Sequence, residues 1–212
     1  MTIVCISDTH GLHDQVEVPI GEILIHAGDC TNAGHPLEVA EFLVWFAALP
    51  HRHKVLIAGN HDFLFETEPD AATALLKKHA PTVHYLNDSG VEIANLKIWG
   101  SPVQPAYCDF AFNRQRGPEI SLHRDLIPND IDVLVTHGPP ANILDLTPDG
   151  LRDGCADLTR AIPRLTRLKL VVFGHLHLEG GQKCKIGGVT YVNAAVCDES
   201  YLPIQPPVSV VL

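Results

Sequence analysis

A chain of 212 residues is long enough to bury one sizeable core and short for two, so a single domain over residues 1–212 is expected. Apolar residues make up 46% of it and charged residues 19%, a globular balance that excludes a disordered chain. With 25 acidic against 15 basic residues the formal charge is −10, which argues against long nucleic acid and anionic membrane as partners and favours a small ligand.

Thr2 to Ile6 reads as a buried strand that runs into Asp8 and His10. No basic stretch or cleavable apolar segment precedes it, so a cytoplasmic protein is expected. Glu22 to Ala27 repeats the pattern and ends at Asp29. Between Pro36 and Leu49, apolar residues at helical spacing behind a first-turn proline predict a crossover helix. Lys54 to Ala58 is a third strand ending in Gly59-Asn60-His61-Asp62, and Pro69 to Lys78 a second helix after acidic Glu66 and Glu68.

Beyond His79 the texture changes to short apolar runs with turns between them: Val83 to Leu86, Val91 to Ala94, Leu96 to Trp99, Asp132 to Thr136, Leu170 to Phe173, Thr190 to Asn193 and Val208 to Val211. These predict a second sheet. Cys155 to Leu168 is helical in pattern but carries Pro163, where the helix should kink or break. An alternating first half and a strand-rich second half predict an α/β chain of two sheets face to face with helices outside, their strand ends sharing one edge. The six cysteines show neither a Cys-x-x-Cys pair nor framework spacing, so reduced, mostly buried thiols are expected.

Five short clusters close apolar runs: Asp8-Thr9-His10, Gly28-Asp29, Gly59-Asn60-His61-Asp62, Thr136-His137-Gly138 and Gly174-His175-Leu176-His177. Singly, each has a plain explanation. An aspartate after a strand often caps a turn, and His26, inside the run Ile-Leu-Ile-His-Ala, reads as a core histidine satisfied by a hydrogen bond. Two imidazoles two residues apart at a buried strand end are harder to explain, because they lose solvation unless something binds them. Together the clusters supply carboxylate, imidazole and amide oxygen donors from several strand ends, the mixture a pair of divalent cations requires. His13, His35, His51, His53, His79, His84 and His123 stand singly or in polar segments and are expected to be exposed or capping, although His13 lies close to the first cluster.

The series Ser7-Asp8-Thr9-His10, Ile25-His26-Ala27-Gly28-Asp29, Ala58-Gly59-Asn60-His61-Asp62, Thr136-His137-Gly138-Pro139-Pro140 and Phe173-Gly174-His175-Leu176-His177 resembles the calcineurin-like metallophosphoesterase superfamily over nearly the whole chain. Tyr85-Leu-Asn-Asp-Ser, Gly100-Ser-Pro, Phe112-Asn-Arg-Gln-Arg-Gly and Gly154-Cys155 are similar to its metallophosphoesterase-domain-containing (MPPED) branch, related to class III cyclic nucleotide phosphodiesterases. The resemblance implies a four-layer αββα sandwich of two mixed sheets. It implies that Asp8, His10 and His177 hold one metal, that Asn60, His137 and His175 hold the other, and that Asp29 bridges them. Manganese is the expected metal, with iron, zinc or cobalt as alternatives.

By the same resemblance His61 meets the substrate phosphate and leaving group, while Asp62 either orients that imidazole or holds the turn. His175 is present where some animal members of the branch have glycine, so an intact second metal position is expected. Val103-Gln104 follows Gly100-Ser-Pro where an aromatic residue would be expected, which leaves the substrate contacts open. Asn113, Arg114 and Arg116 are candidates for a phosphate or nucleotide contact, or else for a capped surface loop. A homodimer is also compatible with the resemblance.

The implied chemistry is hydrolysis: two cations about 3.5–4 Å apart share and acidify a water, which attacks phosphorus in line. A phosphodiesterase acting on small phosphodiesters, among them cyclic nucleotides, is the leading reading. A phosphomonoesterase and a nucleotide-binding regulatory module with little turnover are the rivals.

Overall fold

The computed structural model describes residues 1–212. In chain order the elements are β1 (Thr2–Ile6), β2 (Ile23–Ala27), α1 (Pro36–Ala48), β3 (His53–Ile57), α2 (Leu64–Thr67), α3 (Pro69–His79), β4 (Val83–Tyr85), β5 (Ser89–Ile93), β6 (Leu96–Ser101), β7 (Gln104–Pro105), β8 (Asn113–Arg114), α4 (Pro118–Asp125), β9 (Val133–Thr136), α5 (Ala156–Ala161), β10 (Leu170–Phe173), β11 (Gln182–Ile186), β12 (Val189–Asn193) and β13 (Val208–Val211).

Two mixed sheets dominate. The first has the order β13-β1-β2-β3-β4 and the second β11-β12-β10-β9-β6-β5. Within the first sheet β1 to β4 are parallel and β13 closes the edge antiparallel. In the second, β12, β10, β9 and β6 are parallel, with β11 and β5 antiparallel at the two edges.

The period-two alternation of the strands makes the four layers. Along β1, Ile3 and Cys5 face the core between the sheets, whereas Val4 and Ile6 face the outer core under α1. Both faces are buried, which is why the strand reads as an unbroken apolar run. In α1 the residues Val39, Phe42, Leu43 and Phe46 recur at helical spacing and are all buried, and Glu38 reaches back to the His35 amide in a capping box. On the far side Ile120 of α4 and Leu158 of α5 cover Leu134, Val171 and Phe173 of the second sheet.

The division at His79 is corrected in two places. Val83–Tyr85 pairs with β3, and Val208–Val211 with β1, so both belong to the first sheet. The reason lies in the chain path: α3 returns β4 beside its predecessor, and β13 pairs what would otherwise be an open edge of β1. The helix around Pro163 breaks as expected, α5 ending at Ala161 and passing into a 3-10 turn over Ile162–Arg164. The one-turn α2, the short α4, the β7–β8 pair and the lysine-bearing edge strand β11 carry no clear periodicity in the sequence.

Candidate metal centre

The parallel strands of both sheets end on the same side of the molecule, where Ser7 after β1 bridges to Ala195 after β12. Into that shared edge β1 delivers Asp8 and His10, β2 delivers Asp29, β3 delivers Asn60 and His61, β9 delivers His137 and β10 delivers His175 and His177. Ligand sites in parallel α/β sheets lie at the carboxyl ends of the strands for this reason. Four of these residues adopt positive φ: Asp8 at 54°, His10 at 42°, Asp29 at 54° and His175 at 68°. Such conformations cost about 1–3 kcal/mol each and persist only where the surroundings over-determine them. The left-handed step turns each side chain out of the strand direction and into the cluster.

Three donor groups result, each with its ligand atoms within 4.8 Å of one another: Asp8, His10 and His177; Asp29, His137 and His175; and His10, Asp29 and His61. Asp29 belongs to the second and third of them, and His10 to the first and third. Asn60 joins the second through its Oδ1, 2.8 Å from His137 Nε2.

Hydrogen bonds fix the direction of the rings. His137 Nδ1 lies 2.9 Å from the Ala27 carbonyl, and His177 Nδ1 lies 2.9 Å from the Asp198 carbonyl. Each carbonyl accepts an Nδ1–H, so each neutral ring turns its Nε2 lone pair inward. There His137 Nε2 meets Asp29 Oδ2 at 3.3 Å and His177 Nε2 meets Asp8 Oδ1 at 3.3 Å. Lone pair faces lone pair. This is repulsive unless a proton or a cation stands between them. His10, nearly fully buried, has no hydrogen-bond partner at either ring nitrogen. Nitrogen and oxygen donors in this mixture, turned inward and with both His10 nitrogens unsatisfied, fit a pair of divalent cations.

The ionisation behaviour agrees. Burial opposes charge on Asp8 and Asp29, but the neighbouring imidazoles outweigh it and hold both carboxyls below the usual range. Burial likewise opposes protonation of His137 and His177, yet the Asp29 carboxylate raises the first to about 9 and Asp8 raises the second to about 9. Burial, reinforced by His137, pulls His175 down to about 3. Protons and cations compete for the same lone pairs.

His61 points into the same space with its ring 4.8 Å from that of His10, and its amide donates to Asp29 Oδ1 at 2.8 Å. Its Nδ1 is 2.8 Å from the Asn32 carbonyl. The orienting group is therefore that backbone oxygen and not Asp62. The Asp62 carboxylate, fully buried, accepts from the amides of Gly59, Cys30 and Thr31, from the Thr31 hydroxyl and from the Cys30 thiol. It ties the loop after β2 to the loop after β3. Cys30 thereby serves the turn, and His13 lies outside the cluster against Phe42 and Trp45. His26 is a core histidine as expected, paired with Thr9 Oγ1 at 3.1 Å.

Over the cluster opens a cavity of about 770 Å³ with His10, Asp29, Asn60, His61, His175 and His177 in its lining. Its outer walls carry Tyr107, Phe110, Arg152 and Tyr201, which no motif marks in the sequence. Asn113, Arg114 and Arg116 do not line it. Asn113 caps the carbonyls of Tyr107 and Cys108, Arg114 pairs with Glu66, and Arg116 binds the carbonyls of Gly154 and Asp153. Of the two readings of that segment, the capped loop is the one found.

A two-sheet α/β sandwich with a carboxylate–histidine cluster at a shared strand edge is the framework of a metallophosphoesterase. The family profile described as Calcineurin-like phosphoesterase matches residues 1–179, and the chain belongs to that family of metal-dependent phosphoester hydrolases. Its relatives are MPPED and UPF0046 proteins. It is 40% identical over 227 aligned positions to metallophosphoesterase domain-containing protein 1 of Homo sapiens, covering 97% of this chain and 69% of that one. It is 38% identical to a UPF0046 protein of Caenorhabditis elegans, covering 97% and 78%. Among solved structures, TT1561 of Thermus thermophilus shares the fold with a TM-score of 0.60 at 14% identity, over 91% of this chain and 88% of that one. No helix is long and apolar enough to cross a membrane.

Proposed function

We propose that the protein is a two-metal phosphodiesterase acting on small phosphodiesters, with Asp8, His10 and His177 holding one cation, Asn60, His137 and His175 the other, and Asp29 between them. The observation that carries this reading is the pair of inward Nε2 atoms, of His137 and His177, each 3.3 Å from a carboxylate oxygen. Manganese is the proposed metal. When bound, such a pair of cations acidifies a water and neutralises charge on the phosphoryl oxygens. The chain's own residues do the rest. The amides of His175 and His61 donate to Asp8 and Asp29 and hold those carboxylates in place. Because the Asn32 carbonyl accepts the Nδ1–H of His61, the proton His61 gives to the departing ester oxygen is one held at Nε2.

Two features favour a diester over a monoester. The cavity is larger than a phosphoryl group needs, which leaves space for a second ester arm. Its one lining guanidinium, that of Arg152, is bonded to the buried carboxylate of Asp145 at 2.6 Å, so no free cation waits for the extra charge of a monoester. The test is steady-state hydrolysis of bis(p-nitrophenyl) phosphate and p-nitrophenyl phosphate by metal-stripped protein, with and without Mn²⁺, beside His61→Ala. Manganese-dependent turnover favouring the diester is expected. The variant should lose about 10²–10⁴-fold in kcat and keep its metal content. A His61→Ala protein that turns over normally would remove His61 from the mechanism, and preference for the monoester would sink the diester reading.

A further inference from the structure

The outer half of the cavity is built of aromatic faces and carboxylates. Phe110 lies 4.7 Å from His61 between ring centroids, and Tyr107 stands parallel to Phe110 at 6.4 Å. Tyr201 lies 6.4 Å from His61 and packs in a T-shaped contact with His10 at 4.7 Å. The Tyr201 ring is half exposed, but its backbone is held. Its backbone sits at φ 59° in a turn whose Ser200 and Leu202 amides both donate to Asp198 Oδ1 at 2.9 Å, and the carbonyl of that same Asp198 anchors His177. The turn that orients a proposed metal ligand thus also holds the tyrosine beside it.

Charge on these walls has one sign. Arg152 is neutralised by Asp145, and Asp153 by Arg116. Asp149 and Glu199, which also line the cavity, have no ion-pair partner. A substrate arm reaching outward past His61 therefore enters a space lined by three aromatic rings and by uncompensated carboxylates. Aromatic faces attract an organic cation through their quadrupole, and a flanking carboxylate adds to that attraction.

We propose that this outer half is a subsite for a cationic ester arm, so that the preferred substrate class is a phosphodiester of an amino alcohol, its ammonium group held among Tyr107, Phe110 and Tyr201 and faced by Asp149 and Glu199. The proposal rests on the phosphodiesterase reading and names the arm that reading leaves open. It also accounts for the absence of a free basic residue in a cavity meant for a phosphate ester: the phosphoryl charge is met at the metal centre, and the outer wall meets the opposite charge on the arm.

The experiment compares two diesters with the same leaving group, p-nitrophenyl phosphorylcholine and its uncharged carbon isostere, 3,3-dimethylbutyl p-nitrophenyl phosphate, in the manganese-loaded protein. The arms match in shape, so their ratio of kcat/KM reports charge alone. A preference of about tenfold for the cationic arm is expected at low ionic strength, shrinking as salt screens the rim carboxylates. In the Asp149→Asn, Glu199→Gln double variant the ratio should fall severalfold toward one. A ratio at or below one in the unaltered protein, or a preference the double variant keeps, overturns the subsite while hydrolysis of the neutral diester upholds the phosphodiesterase. No turnover of either diester beside turnover of p-nitrophenyl phosphate overturns both.

Discussion

Replacing Asp62 should unfold the region that holds His61 before it affects any proton transfer. All five of the groups that meet its carboxylate are donors, so it is required as an ionised acceptor even though burial, and then the charge of Asp29, raise its pKa. In Asp62→Ala three backbone amides, those of Gly59, Cys30 and Thr31, lose their only acceptor at a fully buried site. Leaving a buried donor unpaired costs about 1–3 kcal/mol, and relief of one buried charge together with water entering the gap offsets part of the sum. The net loss should be about 3–5 kcal/mol, a large part of the stability of a domain this size.

Asp62→Asn should recover less than half of that. Its amide oxygen accepts for two donors at most, and its NH2 group is then aimed at further N–H groups. Urea unfolding of metal-loaded and metal-stripped protein measures the loss, and a fall in Tm of about 10 °C should accompany it. The contrary role, in which Asp62 tunes the His61 ring, predicts another pattern: near-normal unfolding midpoints in both variants with kcat collapsed. An unfolding free energy within about 1 kcal/mol of the unaltered protein for Asp62→Ala would refute the reasoning.

Three other perturbations follow from the same geometry. His26, fully buried and pushed down to about 3 by burial, is neutral in the fold, with an ordinary value of 6.5 when unfolded. Its contribution is therefore complete above pH 6.5 and falls by about 1.4 kcal/mol per unit as pH drops from 6.5 toward 3; unfolding free energies of His26→Asn and the unaltered protein between about pH 5 and 7 should converge on acidification, and a pH-independent gap would refute it. His10→Leu should stabilise the metal-stripped protein by about 1–3 kcal/mol, because both ring nitrogens lack partners there. The same variant should lose the rise in Tm that Mn²⁺ gives the unaltered protein, and an undiminished rise would exclude His10 as a ligand. A Cβ at Gly174 would overlap the Asp8 carboxylate and the Ser7 hydroxyl, so Gly174→Ala should lower metal content measured by elemental analysis while far-ultraviolet circular dichroism stays native; full metal content would show that Asp8 tolerates displacement.

The cluster was readable because two independent patterns coincide at each member. An apolar run of strand length ends, and a metal-competent side chain follows within a few residues, as at Ile6 before Asp8 and Phe173 before His175. Strand ends at one sheet edge are adjacent in space whatever their separation in the chain, so the local pattern predicts a distant meeting. Sheet membership of β4 and β13 was not readable in the same way, since the apolar alternation of Val208–Val211 fits either sheet and the free edge of β1 decides. The Asn32, Ala27 and Asp198 carbonyls that set the three imidazoles are backbone groups, which any residue supplies and no sequence marks. Tyr107, Phe110 and Tyr201 were hidden for another reason: each sits in an irregular loop, where an aromatic residue has no period to betray the surface it faces.

The positive-φ residues show how the fold sustains this centre. Four strained backbones are destabilising in the metal-free chain, and the protons held between His137 and Asp29 and between His177 and Asp8 relieve the contact of imidazole with carboxylate but not that strain. Compensation comes from outside the cluster. Asp8 N donates to the Gly28 carbonyl and His10 N to the Asp29 carbonyl, so the first two loops brace each other, while Asp62 pins the second to the third and the Ser7–Ala195 bridge joins the two sheets at the same edge. The αββα core behind them is buried almost throughout β1, β2, β3, β9 and β10, the strands that carry proposed ligands. Strain is therefore concentrated where each strand leaves that core. Such an arrangement couples cation binding to release of the protons held by His137 and His177, and it predicts that the metal-free protein opens first at these loops, with the sandwich behind them still closed.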